Sequence, residues 1–485
     1  MATHNMGHQM DWLDPAREFA QYFQTEIVYI SYGILAIGLF QNCIYFLQIP
    51  LAAVELLRMK LRKPDEHTSW LVSSDITLPI SIVIPAYNEE VTIEGTVIAT
   101  LGTQYPSFEV IVVNDGSKDS TLKVLIYQFQ LKKTERFYET RLPHKEIRGI
   151  YTSSIYPKLV VVDKENGGRS DALNAGIDVS RNPLFCTLDA DSLLDPSALL
   201  KTLQPFIDRP DEVVATGGTV RILNGCEVEN GVIKQVRLTR KILPLFQVVE
   251  YLRSFLMGRL AWSRVGILTI ISGAFSVFRR DIVVTVGGFS RSTIGEDFEL
   301  IMKLHKYCRK NKRKYEMCFV PEPVCWTEVP ETMDVLGSQR IRWQQGALEV
   351  FFKHREMFMN PKYGRIGMIA YPLVLIIDVL GPLAELAGYV VVPLFYLLGT
   401  LSIEFMIAFL CLFFVFGVCI STMSLVLEEI SLKRFSDPKS LLILSVAAII
   451  ENFGYRQYSN VWRIIGWWRF IRKKQVWGTM TRVAR

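Results

Sequence analysis

Long apolar stretches occur near both ends of this chain of 485 residues. Residues 27–47 are apolar over a length that is sufficient to cross a bilayer, and residues 366–427 are apolar over far more than one span. A shorter apolar run at 441–450 is equally typical of a buried core helix. The pattern predicts a transmembrane anchor at 27–57 and a set of transmembrane or interfacial helices at 366–457.

The charges beside these stretches predict their orientation. Acidic residues precede the first stretch without a basic cluster, so it lacks the start of a cleavable signal peptide and is interpreted as a retained anchor. Basic residues follow the anchor and fill the tail, 458–485, and the positive-inside tendency places both regions in the cytoplasm. Residues 1–26 would then be extracytoplasmic. The basic residues after the anchor are Arg58, Lys60, Arg62 and Lys63.

An anchor that begins outside and a tail that ends inside require an even number of spans after residue 360. We favour four spans over two spans with flanking interfacial helices, although four would place Lys433, Arg434 and Lys439 on the outer side. The favoured spans are 366–383, 385–400, 402–427 and 440–457.

Residues 75–360 show the alternating pattern of an α/β domain, in which short β-branched runs are separated by stretches of helical character. Four runs are apolar almost throughout, as expected for strands of a mostly parallel sheet that is covered on both faces. The segments at 131–157 and 221–262 are less regular and are interpreted as insertions. The four predicted strands lie within 79–88, 108–115, 158–165 and 183–191.

Each of these strands runs into acidic or amide residues at its carboxyl end, where ligands collect in parallel sheets. Asp189 and Asp191 are alternate residues of an extended segment, so both carboxylates can face one hard cation such as Mg²⁺ or Mn²⁺. A D-x-D motif alone is equally typical of a solvated loop. The other polar strand ends are Asn88, Glu89, Asn114, Asp115 and Asp163.

Two adjacent carboxylates, Glu296 and Asp297, stand at the predicted start of a helix in "TIGEDFEL". Acidic residues in a first helical turn interact favourably with the helix dipole, so a simple capping role is one interpretation. A role in a functional site is the other. Lys164 and Arg169 frame "ENGG" and are interpreted either as phosphate contacts or as solvated loop charges.

Charge and cysteine content restrict the partners and the compartment. The formal net charge is +6, which basic residues next to a membrane explain through anionic lipid head groups, so no nucleic-acid partner is expected. The eight cysteines include no C-x-x-C pair, which is typical of reduced thiols in a cytoplasmic domain.

Asp378 and Glu385 lie in apolar sequence and are expected to face the bundle interior or a wet cavity, or else an interface beside Pro382.

Seven short motifs together resemble the family 2 inverting glycosyltransferases of the membrane-bound processive type. This group contains cellulose, hyaluronan, chitin and poly-N-acetylglucosamine synthases. The resemblance implies a GT-A-like nucleotide-sugar domain with a mostly parallel mixed sheet, flanked by transmembrane helices. The motifs, in chain order, are "VIPAYNEE", "VVNDGSKDST", "KENGGRSDALNAG", "LDADS", "ISGAFSVFRR", "GEDFEL" and "QRIRW".

The resemblance also implies roles for the residues at the donor end of the site. The uridine of a UDP-sugar would be held by four residues, and Asp189 and Asp191 would bind the diphosphate through Mg²⁺ or Mn²⁺. Asp297 matches the general base of the family, and Glu296 is the less certain member of the pair. The four uridine-binding residues are Ala86, Tyr87, Glu89 and Asp115.

The Q-x-x-R-W motif is implied to place the acceptor sugar and the leaving diphosphate through Gln339, Arg342 and Trp343. Trp343 is also typical of a helix that anchors in the membrane interface. Ser272 and Gly273 match positions that line the acceptor end in the family.

Three functions remain open at this level. The first is a synthase that extends a β-linked polysaccharide from UDP-N-acetylglucosamine or UDP-glucose and exports it. Such a synthase would lie in the plasma or inner membrane with its catalytic domain in the cytoplasm, and accessory export or envelope proteins would be compatible partners. The second is transfer of a single sugar to a lipid acceptor. The third is a non-catalytic scaffold or transporter, which the complete set of acidic positions disfavours.

Overall fold

The computed structural model describes residues 14–61, 77–229, 231–432 and 437–473. The first two helices are α1 (Asp14–Tyr22) and α2 (Gln24–Leu61). The predicted anchor, 27–57, lies within α2, which is long and apolar enough to cross a membrane. Several residues used to predict orientation lie outside the described residues, namely 1–13, Arg62, Lys63, Lys433, Arg434 and the tail from 474 onward.

The middle of the chain forms an α/β domain around a mixed sheet. Its strands are β1 (Ile80–Ala86), β2 (Phe108–Asn114), β3 (Leu131–Thr134), β4 (Ile147–Ser153), β5 (Leu159–Lys164), β6 (Leu184–Leu188), β7 (Ser192–Leu194), β8 (Val213–Ile222), β9 (Glu227–Glu229), β10 (Val232–Gln235), β11 (Phe275–Arg279) and β12 (Glu316–Thr327). Its helices are α3 (Ile93–Leu101), α4 (Thr121–Gln128), α5 (Arg169–Val179), α6 (Ala198–Asp208), α7 (Ile242–Tyr251), α8 (Leu260–Arg264), α9 (Arg280–Thr285), α10 (Glu296–Lys310) and α11 (Met333–Lys353).

The four strands predicted from the sequence are neighbours in the centre of this sheet. They run parallel in the order β5-β2-β1-β6, and nearly all of their residues are buried. The register aligns Ala86 with Asn114 and Asn114 with Asp163, so the polar residues that follow the strands meet at one edge. The carboxyl ends of β1, β2 and β5 are thus level with one another.

The outer parts of the sheet are largely antiparallel. Within the described ranges ten strands form one sheet, in the order β3-β4-β5-β2-β1-β6-β11-β8-β12-β7. The segment 131–157, interpreted above as an irregular insertion, supplies β3 and β4, which pair antiparallel at one edge. The segment 221–262 is also regular, because it contains the β9-β10 hairpin, α7 and a π-helical stretch, Leu252–Arg259.

The chain after α11 is helical over most of its length. Two short 3₁₀ helices, Arg355–Met357 and Pro361–Tyr363, lead into it. The first long helix contains a π-turn, α12 (Tyr371–Val374), a second π-turn and α13 (Gly381–Leu397), and the next contains α14 (Ile403–Leu410), a π-turn and α15 (Phe416–Leu432). The shorter α16 (Pro438–Ile450) and α17 (Tyr455–Ile471) follow.

The preference for four C-terminal spans was wrong in the described part of the chain. Residues 366–397 form one continuous helix, so the first two favoured spans are a single element, and the other helix of sufficient length is 403–430. Pro382 lies inside this helix without ending it, because side chains of other helices donate to the Asp378 carbonyl in place of the missing N–H. The alternative of two spans with shorter flanking helices agrees with the structure.

Glu385, expected to face the interior of the bundle, does so. Its carboxylate is buried, accepts a hydrogen bond from the Tyr389 hydroxyl at 2.9 Å and lies 3.2 Å from Nε of Arg456 on α17. Asp378 is about half exposed and lies 3.7 Å from Arg463. Both acidic residues of the apolar sequence therefore face arginines of α17, which is how a charged group is accommodated in such surroundings.

Candidate functional site

Three carboxylates from distant parts of the sequence converge on one arginine. The Arg169 guanidinium donates to Asp189 from Nε at 3.1 Å and from Nη2 at 2.9 Å. Its Nη1 donates to Glu296 at 2.6 Å and to Asp297 at 3.2 Å. Asp189, one of the two carboxylates assigned to metal binding, therefore lies in one cluster with Asp297, the candidate base.

The fold brings these residues together at loop–helix junctions. Asp189 follows β6, and its backbone N–H donates to the Ala274 carbonyl at 3.3 Å, next to β11. Glu296 and Asp297 begin α10, and Arg169 begins α5 directly after Gly168. Since backbone N–H groups at a helix start favour negative charge, the first turn of α10 is a suitable place for two carboxylates.

Gly273 permits the close approach of Asp297. A β-carbon at position 273 would lie 2.0 Å from Oδ2 of Asp297, and Arg169 also donates to the Gly273 carbonyl at 2.7 Å. Any side chain at this position would push the carboxylate away. Ser272, its predicted partner at the acceptor end, is buried, and its hydroxyl accepts from the Ala274 N–H at 3.3 Å. Their contact with an acceptor stays a prediction.

The environment of Asp297 raises the pKa of its carboxyl group. Burial raises its pKa to about 7, with Glu296 and Asp189 acting in the same direction and Arg169 opposing them. Its side chain is still 26% exposed, so a substrate can reach it. A carboxylate whose pKa lies near the operating pH is well suited to accept a proton from a hydroxyl group. The carboxylates of Glu296 and Asp297 accept from Arg169, which goes beyond what a simple helix cap requires.

A second, fully buried charge network lies behind the cluster. Lys164 donates to Asp115 at 2.6 Å and lies 2.6 Å from Asp171, so it is not a solvated loop charge. The Asp115 carboxylate also accepts from the N–H groups of Gly167 at 3.0 Å and Gly168 at 2.7 Å. These bonds fix the "ENGG" turn that leads into Arg169. The predicted contact of Asp115 with uridine stays a prediction, since its two oxygens already serve this turn.

The other predicted uridine-binding residues follow β1. Ala86 and Glu89 are buried, whereas the Tyr87 ring is 43% exposed and offers a flat face to a ligand. Glu89 accepts from the Thr92 hydroxyl at 2.7 Å, and its N–H donates to the Thr121 hydroxyl at 2.9 Å. Asn88 adopts a left-handed backbone conformation, which makes the tight turn between the strand and these side chains.

The D-A-D segment offers two carboxylates to a cation. The Asp189 side chain is 33% exposed, and Asp191 is buried with the Ser192 hydroxyl 3.4 Å from its Oδ1. Among the described residues no cluster of three or more histidine, cysteine or acidic side chains could hold a metal. Two carboxylates fit Mg²⁺ or Mn²⁺ ions that keep further positions for phosphate oxygens. This donor set therefore suits a metal that binds together with a diphosphate.

Helix α11 carries the Q-x-x-R-W motif against the first turn of α10. Gly295 and Gly346 touch through their backbones, because a β-carbon at 346 would lie 2.8 Å from the Gly295 nitrogen. The Glu349 carboxylate accepts from the Ile294 N–H at 2.9 Å and holds the same junction. The motif is thus fixed next to the carboxylate cluster.

Trp343 is held within the domain by a neighbouring arginine. Its ring is 45% exposed, and the Arg340 guanidinium lies 4.1 Å from the ring centroid. Arg340 in turn donates to Glu250 at 2.8 Å and to Gln339 at 3.3 Å. The exposed face of Trp343 agrees with a sugar platform. Arg342 is half-buried on the same helix.

The residue after Trp343 couples this helix to the membrane-type helices. Pro382 has no N–H, so the Asp378 carbonyl lacks the donor that an α-helix would supply. That carbonyl accepts from Gln344 at 2.7 Å and from Arg463 at 3.2 Å, and Arg463 also donates to Gln344 at 2.7 Å. Sequence reasoning missed Gln344 and left Arg169 undecided, because their partners are 20 to 128 residues away in the chain.

The central and C-terminal parts of the chain match two family models. One, described as glycosyl transferase family 2, matches residues 81–286, and the other, described as glycosyl transferase family group 2, matches residues 184–420. The two matches together include the whole carboxylate cluster and the Q-x-x-R-W helix.

Similar curated proteins include two poly-β-1,6-N-acetyl-D-glucosamine synthases. That of Staphylococcus epidermidis is 28% identical over 274 residues, which are 56% of this chain and 56% of that protein. That of Staphylococcus aureus (strain COL) is 29% identical over 322 residues, which are 66% of this chain and 65% of that protein. The chain therefore matches less than two thirds of the length of these relatives.

A solved structure supports the fold. The mannosyltransferase from Pyrobaculum calidifontis, in complex with GDP-Man and Mn²⁺, gives a TM-score of 0.50 at 16% identity and covers 91% of this chain and 100% of its own. At this identity the likeness concerns the fold alone. It confirms the predicted GT-A-like α/β architecture.

Proposed function

Because this chain belongs to the family 2 glycosyltransferases, we propose that it transfers a sugar from a UDP-sugar to the end of a growing β-linked polysaccharide, with inversion at the anomeric carbon. The observation that carries the proposal is the cluster of Asp189, Glu296 and Asp297 around Arg169. It combines a carboxylate of raised pKa with the carboxylate that the sequence assigned to diphosphate binding.

The donor that we propose is UDP-N-acetylglucosamine. The sequence left glucose and N-acetylglucosamine open, and the names of the two synthases favour the amino sugar. The same names favour a polysaccharide over a single lipid-linked sugar as the product.

Asp297 acts as the general base in the proposed reaction. As the acceptor hydroxyl attacks the anomeric carbon, its proton passes to the Asp297 carboxylate, and the bond between that carbon and the diphosphate oxygen breaks. UDP leaves on the opposite face, which produces inversion. Arg169 and the first turn of α10 hold the base in place, and Gly273 leaves room for it.

Asp189 and Asp191 are the residues that would hold Mg²⁺ or Mn²⁺ in this mechanism. When bound, such an ion offsets the negative charge that develops on the leaving diphosphate. Arg342 supplies positive charge from α11, and the exposed ring of Trp343 supports the acceptor sugar.

The membrane arrangement is part of the same proposal. The α2 helix and the two long C-terminal helices span the membrane, and the catalytic domain lies on the cytoplasmic side with the basic residues after the anchor. The polymer leaves the site beside α11, which is bonded to the C-terminal helices through Gln344. Export across the membrane would start there.

Donor and metal dependence test this proposal directly. We expect the purified protein in detergent to release UDP from UDP-N-acetylglucosamine faster than from UDP-glucose and to form long polymer without added lipid acceptor. EDTA and Asp191→Asn should each stop turnover, because two neighbouring carboxylates cannot approach a diphosphate without a cation. UDP release should be coupled to a polymer that is sized by electrophoresis or chromatography.

Three results would contradict parts of the proposal. Full activity in EDTA would show that the reaction needs no divalent metal ion. Product that forms only when a polyprenyl lipid is added would favour transfer of a single sugar. No UDP release from any donor, by protein that still binds UDP, would favour a non-catalytic scaffold.

A further inference from the structure

A cavity of about 170 Å³ lies outside the carboxylate cluster, between the end of α10, the start of β12 and the residue that precedes the first long C-terminal helix. This volume holds several water molecules, at roughly 30 Å³ for each. It is therefore large enough for a tetrahedral phosphate group. The lining residues are Gly266, Leu268, His305, Arg309, Tyr315, Glu316, Met317 and Arg365.

The polar lining of this cavity leaves one cationic group incompletely paired. Nε of Arg309 is buried and has no hydrogen-bond partner among the described residues, although an unpaired buried donor is costly. The guanidinium lies 5.4 Å from the centroid of the Tyr315 ring. An anion in the cavity would supply the missing acceptor.

The neighbours of Arg309, His305 and Tyr315, form a neutral hydrogen-bonded pair. His305 must carry its proton on Nε2, because that nitrogen lies 2.8 Å from the Leu268 carbonyl, which can only accept. Its Nδ1 then accepts from the Tyr315 hydroxyl at 2.8 Å. Burial lowers the pKa of His305 to about 4, so the ring stays neutral and holds Tyr315. The Glu316 carboxylate is paired with Arg209 and does not oppose an anion on its own.

The cavity is bordered by residues that lead into the candidate membrane helices. Arg365 is exposed, donates to the Val265 carbonyl at 3.3 Å and directly precedes residues 366–397, which are long and apolar enough to span a membrane. On the other side, Arg264 forms an ion pair of 2.8 Å with Glu55 near the end of α2. Two membrane-type helices therefore end next to the cavity.

The surrounding surface is strongly basic. Arg309 begins the segment "RKNKRK", 309–314, in which five of six residues are lysine or arginine. Lys310 and Lys312 are exposed. A basic segment at this level attracts anionic lipids electrostatically, and the cavity adds a defined place for one phosphate.

We propose that this cavity binds the phosphate of an anionic phospholipid, with Arg309 and Arg365 as its ligands. The lipid would connect the catalytic domain with the bilayer at the point where the first long C-terminal helix begins. The site is separate from the sugar-transfer site and does not depend on which sugar is transferred.

Short-chain lipids and matched double variants test this site. Full-length protein in a neutral detergent is titrated with dihexanoyl phosphatidylglycerol, with dihexanoyl phosphatidylcholine and with inorganic phosphate, in about 0.3 M salt, which screens exposed charges. Binding is followed by native mass spectrometry and by the shift in Tm. We expect phosphatidylglycerol to bind best. The variant Arg309→Gln/Arg365→Gln should bind it about tenfold more weakly, as for a lost hydrogen bond to a charged group.

The control variant Lys310→Gln/Lys312→Gln removes the same charge from the same surface but does not line the cavity. It should keep nearly the full affinity for the lipid. Equal losses in both double variants would show general charge attraction and overturn the cavity assignment. If inorganic phosphate binds as tightly as the lipid, the proposal that the ligand is a phospholipid is wrong. The single variant Arg365→Gln, at an exposed position, should show part of the loss even if Arg309→Gln disturbs folding.

Discussion

Arginines meet carboxylates in two regions of this protein, and the ratio of acidic to basic groups differs between them. At the transfer site Asp189, Glu296 and Asp297 share hydrogen bonds from Arg169. Among the C-terminal helices three buried acidic residues each have an arginine of their own. These pairs are Glu385 with Arg456, Glu451 with Arg253 at 2.6 Å and Glu428 with Arg221.

The difference separates a reactive arrangement from a structural one. Matched pairs satisfy the charge of each acid, so they fix the helices and leave little negative charge for a ligand. At the transfer site burial raises the pKa of Asp297, the surplus carboxylates raise it further, and they leave negative charge that a cation can offset. Function is therefore expected where acids outnumber their cationic partners.

The largest effect that tests this comparison is the loss of the base. Asp297→Asn should bind UDP-sugar almost normally but lose about 10²- to 10⁴-fold in transfer rate, because an amide cannot accept the proton. Glu296→Gln should keep measurable activity. UDP binding and product formation are measured in both variants. Normal synthesis by Asp297→Asn would return the pair to a helix-capping role, and a larger defect in Glu296→Gln would mean that Glu296 is the base.

The second effect concerns a matched pair. Glu451→Gln leaves Arg253 without its carboxylate and should lower the free energy of unfolding by about 2 kcal/mol. This is less than for a fully buried pair, since the Arg253 side chain is 23% exposed. Thermal unfolding in detergent measures it. The double variant Glu451→Leu/Arg253→Leu should recover much of the stability, and transfer by the single variant below its Tm should stay close to normal.

The smallest effect is a change in pH dependence. Wild-type transfer should rise with pH through about 7, as Asp297 loses its proton. Arg169 lowers this pKa, so Arg169→Gln should raise it and move the acid limb of kcat/KM upward by about one pH unit or more. The pH–rate profile at saturating metal is the measurement. Arg456→Gln removes an arginine from a matched pair and should leave the acid limb unchanged. An unshifted limb in Arg169→Gln would show that Arg169 does not set the charge of the base.

The sequence was sufficient for the strands of the parallel core and for the polar residues that end them. These features depend on local patterns, since an apolar run predicts a buried strand and Asp or Asn marks its end. The GT-A-like fold followed from the resemblance. The regular structure of 131–157 could not be foreseen, because β3 and β4 are short, and Lys132 and Lys133 resemble loop residues.

The sequence did not show which charged residues that are distant in the chain form ion pairs. Lys164 lies shortly before α5, and Arg169 is its first residue. Lys164 is buried between Asp115 and Asp171, whereas Arg169 reaches Glu296 on α10, 127 residues away. Which carboxylate each cation meets depends on the packing of α5 and α10. The predicted number of C-terminal spans was wrong for a similar reason. A helix continues through a proline when other groups donate to the carbonyl that the proline leaves unpaired, and for Pro382 that donor is Gln344, from a distant part of the chain.

The contact between Gly295 and Gly346 has a consequence for engineering a different polymer. Backbone meets backbone at this crossing, so α11 cannot move closer to the base, and any larger residue there would drive the two helices apart. A library that seeks a new acceptor preference should therefore leave positions 295 and 346 unchanged. Variation is better directed to Gln339 and Trp343, whose side chains on α11 are at least partly exposed. Substitutions there would alter the shape of the acceptor site without changing the distance between α11 and the base.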